Sequence, residues 1–154
     1  ALRVLVHSKL AGADEALAQF AERWADEALV MDQWFAVQAS IPGPASLSTI
    51  EALMAHPAFD WTVPNRVRAL VGTLANGNPS AFHSADGEGY RLFAAVLTRL
   101  DGINPQIAAR LANAAARLPK LEPGRRGQLA SALEAVKKQA SDNLSEVLGR
   151  ILTA

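Results

Sequence analysis

Proline, glycine and asparagine interrupt this chain of 154 residues at short intervals, and between the interruptions apolar residues recur three and four apart. That spacing lines up one face of an α-helix, whereas a half-buried strand needs strict alternation. The segments are roughly 10–18 residues long and the links between them are short, so neighbours are expected to fold back on one another as antiparallel hairpins. The fold class this predicts is all-α, with stacked helical hairpins in an α-solenoid-like arrangement of the armadillo/HEAT kind. No repeat is visible in the residues themselves, so the expectation concerns topology alone.

The pattern predicts about eight or nine helices. The first is Leu2 to Leu10, and Gly12 separates it from a second, Ala13 to about Asp26, carrying Leu17, Phe20 and Trp24. A third, Leu29 to Ile41, would turn Val30, Trp34, Val37 and Ile41 inward before Pro42-Gly43-Pro44 stops it. Ser48 and Glu51 have the spacing of a capping box at the start of a fourth. Pro64 suits a first helical turn, and Val67, Leu70, Val71 and Leu74 form the stripe of a fifth helix closed by Asn76-Gly77. Residues 78–83 read as a turn or one short helical turn. A long helix from Asp86 to Leu100 follows, with Tyr90, Phe93, Ala94 and Leu97 inward, and Gly102 ends it. Asn104-Pro105 pairs an N-cap residue with a first-turn proline, ahead of an inner face of Ile107, Leu111, Ala114 and Leu118. Pro119 and Pro123 bracket a link. Leu129, Leu133 and Val136 mark one more helix, and Leu144, Val147, Leu148 and Ile151 the last.

Several functions are disfavoured by composition. Lys plus Arg (15) balance Asp plus Glu (15), so no net field draws in nucleic acid or an anionic membrane. The absence of cysteine removes disulfides, thiolate zinc sites and cysteine nucleophiles together, which permits a reducing cytoplasm. No apolar run approaches the ~20 residues that span a bilayer, and no signal-like N-terminus is present. The chain opens directly into an amphipathic stretch at Ala1, which reads as a cut end; 154 residues suit one domain.

Catalytic patterns are missing. His7, His56 and His83 are isolated, without the two histidines four apart and intervening glutamate of a zinc hydrolase helix. Ser84, His83 and Asp86 lack a nucleophile elbow, and Asp86-Gly87-Glu88-Gly89 lacks the spread of ligands of a calcium loop, so Asp86 reads as a helix cap. Arg66 and Arg68 share the first turn of the fifth helix and could hold a carboxylate bidentately or form structural ion pairs. Gln106 and Arg110 lie four apart on one helix flank, which by spacing alone reads as a solvated edge.

Four blocks, VMDQWFAVQA (30–39), PNRVRALVG (64–72), NPSAFHSADGEGYRLF (78–93) and NPQIAARL (104–111), together resemble the C-terminal helical domain of bacterial aminopeptidase N, a zinc aminopeptidase of the gluzincin class. The resemblance runs in order along nearly the whole chain. It implies that residues 1–154 form one C-terminal domain, that the zinc and the catalytic glutamates belong to an upstream catalytic domain of the same polypeptide, and that this chain holds no metal and no catalytic residue. It also implies a cytoplasmic, monomeric enzyme whose helical domain closes over the active site and restricts entry to peptides. Gln106 and Arg110 match positions lining the pocket for the substrate's first side chain, and Arg68 matches an arginine facing the same cavity; Arg66 is left structural. The alternative is a free-standing helical-repeat scaffold that binds a protein partner. An upstream reading frame with or without a zinc-binding catalytic domain separates the two.

Overall fold

A computed structural model describes residues 1–154, and every regular element in it is helical, with no strand. Two compact units divide the chain, Ala1–Ala81 and Phe82–Ala154.

In the first unit a helical hairpin, α1 (Leu2–His7) and α2 (Ala13–Arg23), precedes α3 (Ala28–Ala39). α1 stops where Lys9 takes φ 49°, with the Lys9 N–H on the Val6 carbonyl and the Leu10 N–H on the Leu5 carbonyl, the paired bonds of a left-handed helix end. Gly12, at φ 84°, makes the turn into α2. α3 packs against α1, α2, α4 (Ser46–Met54) and the helical run after Pro64. A helix covered on several sides has no single inner stripe. Met31, Trp34, Phe35, Gln38 and Ala39 are buried, whereas Val30, Val37 and Ile41 are half-buried, so of the predicted face only Trp34 is fully inside.

The capping box at Ser48 does not form. α4 already begins at Ser46, because Ser46 and Leu47 close turns on Gly43 and Pro44, and the Ser48 hydroxyl donates to the Ala45 carbonyl instead. The run from Pro64 matches expectation in extent: α5 (Pro64–Val67), a widened π-helical turn at Arg68–Gly72, and α6 (Thr73–Gly77), with Val67, Leu70, Val71 and Leu74 buried. Buried Asn78 donates from Nδ2 to the Ala39 and Ile41 carbonyls (2.9 and 2.7 Å), satisfying backbone that the Pro42-Gly43-Pro44 loop leaves unpaired. The single turn α7 (Pro79–Phe82) follows.

The second unit contains α8 (Glu88–Asp101), α9 (Pro105–Ala112) continuing as a 3₁₀ helix over Asn113–Lys120, α10 (Pro123–Lys137) and α11 (Asp142–Thr153). α8 packs on α9 and α10 on α11, while α8 meets α10 and α9 meets α11, as two stacked hairpins require. Asp101 fastens the stack by accepting the backbone N–H and hydroxyl of Ser141, the residue that caps α11. α8 starts at Glu88 rather than Asp86, since Gly87 is left-handed (φ 74°), but the Asp86 carboxylate does accept the Glu88 N–H as a cap would. The buried line after Pro105 is Ala108, Ala112, Ala115 and Leu118. Ile107, Leu111 and Ala114 flank it half-buried, so of the expected inner face only Leu118 is fully inside.

Arg66 is the one buried cation of the first unit, 8% exposed. Its Nε donates to Asp32 Oδ1 at 2.5 Å, Nη1 to the Ala58 carbonyl and Nη2 to the Ala28 carbonyl, and its guanidinium lies 5.1 Å from the Phe35 ring centre. Removing one partner of such a pair strands the other charge. Asp32→Ala should therefore lower the unfolding free energy by ~3 kcal/mol, more than the paired replacement Asp32→Leu with Arg66→Met. Urea unfolding checks this, and a single-variant loss below ~1 kcal/mol would mean that the pair is effectively solvated.

Candidate functional site

α9 owes its start to Asn104, whose side-chain oxygen accepts the Ile107 N–H, and to Pro105 in the first turn, where no N–H is needed. Its small residues Ala108 and Ala112 are fully buried, which turns the opposite flank outward. Gln106 and Arg110 sit on that flank one turn apart, both exposed. Neither the Gln106 amide nor the Arg110 guanidinium has a hydrogen-bonding or ion-pair partner in the chain, while Asn113 one turn on donates to the Ala109 carbonyl. Two long polar side chains thus stand side by side and free, one a planar fork of donors and the other both donor and acceptor.

Arg68 lies in the other unit, on the π turn, and is also exposed. It donates to Asn65 Oδ1 at 3.1 Å, and its stem lies over Gly72, where an added Cβ would meet Arg68 Cγ at 3.2 Å. Arg66 and Arg68 therefore part company within one turn: the first is structural, as expected, and the second points to solvent.

Each histidine is already engaged locally. His7 Nε2 is 2.9 Å from the Ser40 hydroxyl, His56 Nδ1 accepts the Ala58 N–H, and His83 Nδ1 shares a hydrogen bond with the Tyr90 hydroxyl at 2.6 Å. No three His, Asp or Glu side chains converge, so the residues present do not fit a zinc ion. Ser84 donates to Asp86, and no hydrogen bond joins it to His83. Burial and the nearby Arg125 and Arg117 hold the His83 imidazole below its ordinary pKa, and burial raises that of Tyr90. The Glu122 carboxylate, which caps α10 by accepting the Arg125 and Gly124 N–H groups, is lowered for that reason.

This chain belongs to the family described as "Domain of unknown function (DUF3458_C) ARM repeats", which matches residues 1–153. It is similar to aminopeptidase N of Haemophilus influenzae, 43% identical over 148 residues, covering 96% of this chain and 17% of that protein. Aminopeptidase N of Escherichia coli is 38% identical over 94% of this chain and 16% of its own length, and that of Caulobacter vibrioides 48% identical over 64% and 11%. Among solved structures, Legionella pneumophila aminopeptidase A in complex with aspartic acid superposes with a TM-score of 0.93 and 32% identity, over 99% of this chain and 18% of that one. The chain thus spans about a sixth of these relatives and corresponds to a helical domain within an aminopeptidase. No helix in it is long and apolar enough to cross a membrane.

The lowered pKa of His83 has a pH consequence. The unfolded chain, with an ordinary histidine pKa near ~6.5, binds more protons than the folded chain in the window just below that value, so stability rises with pH there. The contribution of neutral His83 is complete above the unfolded pKa and is lost as pH falls through the lowered folded one. Thermal midpoints should drop between neutral and mildly acidic pH, and His83→Gln should remove part of the drop. An identical slope in both proteins would show that other groups carry it.

Proposed function

We propose that this chain is the helical module of a cytoplasmic, monomeric zinc aminopeptidase that removes N-terminal residues from peptides, and that it covers the active site and narrows access to it. The observation that carries this reading is the exposed, unpaired pair Gln106 and Arg110 on α9, in a chain that corresponds to one domain of aminopeptidases. The zinc would reside in the upstream catalytic domain of the same polypeptide, where it polarises the scissile carbonyl and activates water.

In that setting the chain's own residues bind and orient. Arg110 offers a fork of N–H donors to a carbonyl or carboxylate, and Gln106 beside it can donate and accept at the substrate's first side chain. Arg68, with its stem over Gly72, would add a cationic wall. Restricting entry keeps folded proteins out and limits water around the reacting peptide, which strengthens every electrostatic contact made there. The runner-up is a protein-binding scaffold, favoured by the stacked hairpins of the second unit; it assigns Gln106 and Arg110 no effect on catalysis.

Kinetics of the intact enzyme separate the two. Arg110→Ala should leave folding within ~1 kcal/mol, since an exposed charged side chain contributes little. It should change kcat/KM unequally across substrates with different first side chains, by about tenfold for the most affected, at unchanged zinc content. Equal kinetics for every substrate would return both residues to a solvated edge.

A further inference from the structure

A cleft of about 520 Å³ lies within the first unit, between the α1–α2 turn, the end of α3 and the start of α4. Its size falls in the range of small-molecule sites. Three observations define what it can hold. The first is Gln38, 6% exposed, which lines the cleft and whose Nε2 donates to the Trp34 carbonyl at 3.2 Å. A carbonyl can only be met by the amide's nitrogen, so the oxygen is turned the other way, and it has no donor within the chain. No fully enclosed polar atom lacks a partner, so this oxygen keeps some exposure, in a residue that lines the cleft. An acceptor this deeply set calls for a donor from outside.

The second observation is the N-terminus of α2. Gly12 caps it without a side chain, and the Asp14 and Glu15 N–H groups, in its first turn, are left unpaired; both residues line the cleft, as does Lys9. Such an end favours an anion. Lys9 is held at this rim by the left-handed stop of α1. The third is the wall, where Val6, Leu17 and Ile41 are apolar. The charged side chains lining the cleft are one cation, Lys9, and two anions, Asp14 and Glu15. That balance disfavours a simple anion and suits a ligand that brings an ammonium with its carboxylate.

We propose that this cleft binds a free α-amino acid with an apolar side chain: its ammonium donates to Gln38 Oε1, its carboxylate meets the α2 N-terminus and Lys9, and its side chain lies against Val6, Leu17 and Ile41. Where the aminopeptidase reading holds, such a ligand is of the same class as the reaction's product, and the cleft is a product-sensing site separate from Gln106 and Arg110.

The test is amide-resolved NMR titration of the 154-residue chain with leucine, isocaproate, which lacks the ammonium, and isoamylamine, which lacks the carboxylate. Leucine should move the Asp14 and Glu15 amides and the Gln38 side-chain resonances, and bind at least about tenfold more tightly than either analogue. Gln38→Met should weaken leucine by about the same factor. Because Gln38 is buried, the exposed variant Lys9→Gln provides a second reading, and should abolish the preference for leucine over isoamylamine. Absence of shifts at high millimolar leucine, or equal affinity for all three ligands, overturns the proposal. Peptidase activity does not enter the measurement, so failure here leaves the assignment of the enzyme untouched.

Discussion

A guanidinium taken out of water must find an acceptor for its N–H groups, and Arg66 finds three on two separate stretches of the first unit: Asp32 and Ala28 on α3, and Ala58 ahead of α5. The arrangement works only if α3 and α5 hold one relative position, because the donors of the fork are fixed in a plane. Phe35 closes the underside of the cation and in turn meets Trp34, His56 and Phe59 edge to face. The polar contact thus selects the register in which the aromatic cluster packs. A leucine at position 66 could fill the space, yet it would leave Asp32 and the Ala58 carbonyl without their donor.

Helix existence was legible because it rests on local spacing. The stripe Val67, Leu70, Val71, Leu74 and the terminal stripe Leu144, Val147, Leu148, Ile151 are buried as their periodicity demands. Where several neighbours surround a helix, periodicity loses its meaning, and α3 shows why: Phe35 and Met31 are deeper than Val37 because α4 and the π turn cover a side that the pattern left to solvent. The capping box at Ser48 failed for a different reason. A cap is one hydrogen bond's worth of preference, and the turns at Gly43 and Pro44 had already started the helix two residues earlier. The π turn at Arg68–Gly72 has no pattern of its own, though the absence of a Cβ at Gly72 is the feature that leaves room for the stem of Arg68.

The candidate site was only half legible. Spacing places Gln106 and Arg110 on one flank, and the burial of Ala108 and Ala112 shows which way that flank turns. What the flank faces in a larger polypeptide is a separate matter, and there the reading rests on similarity to aminopeptidases. Gln38 was missed for the opposite reason. It sits among apolar residues in VMDQWFAVQA, where a helical pattern offers no sign that a polar residue is buried. A better signal was available in the pairing of an uncapped glycine start at Gly12 with a lysine three residues earlier.

The division between packing and polar flank leaves long side chains available for contacts outside the domain. Alanines at 108, 112 and 115 let α9 and its 3₁₀ continuation approach α8 and α11 closely, and they draw on none of the long polar side chains to do so. Arg110 and Gln106 therefore contribute almost nothing to the interior, and a change at either leaves the close-packed seam intact. Side chains freed in this way can be shaped by what they contact outside the domain. The histidines illustrate the converse: with His7, His56 and His83 each bound to a neighbour that fixes a local turn or helix end, recruiting one as a metal ligand would cost the contact it already makes.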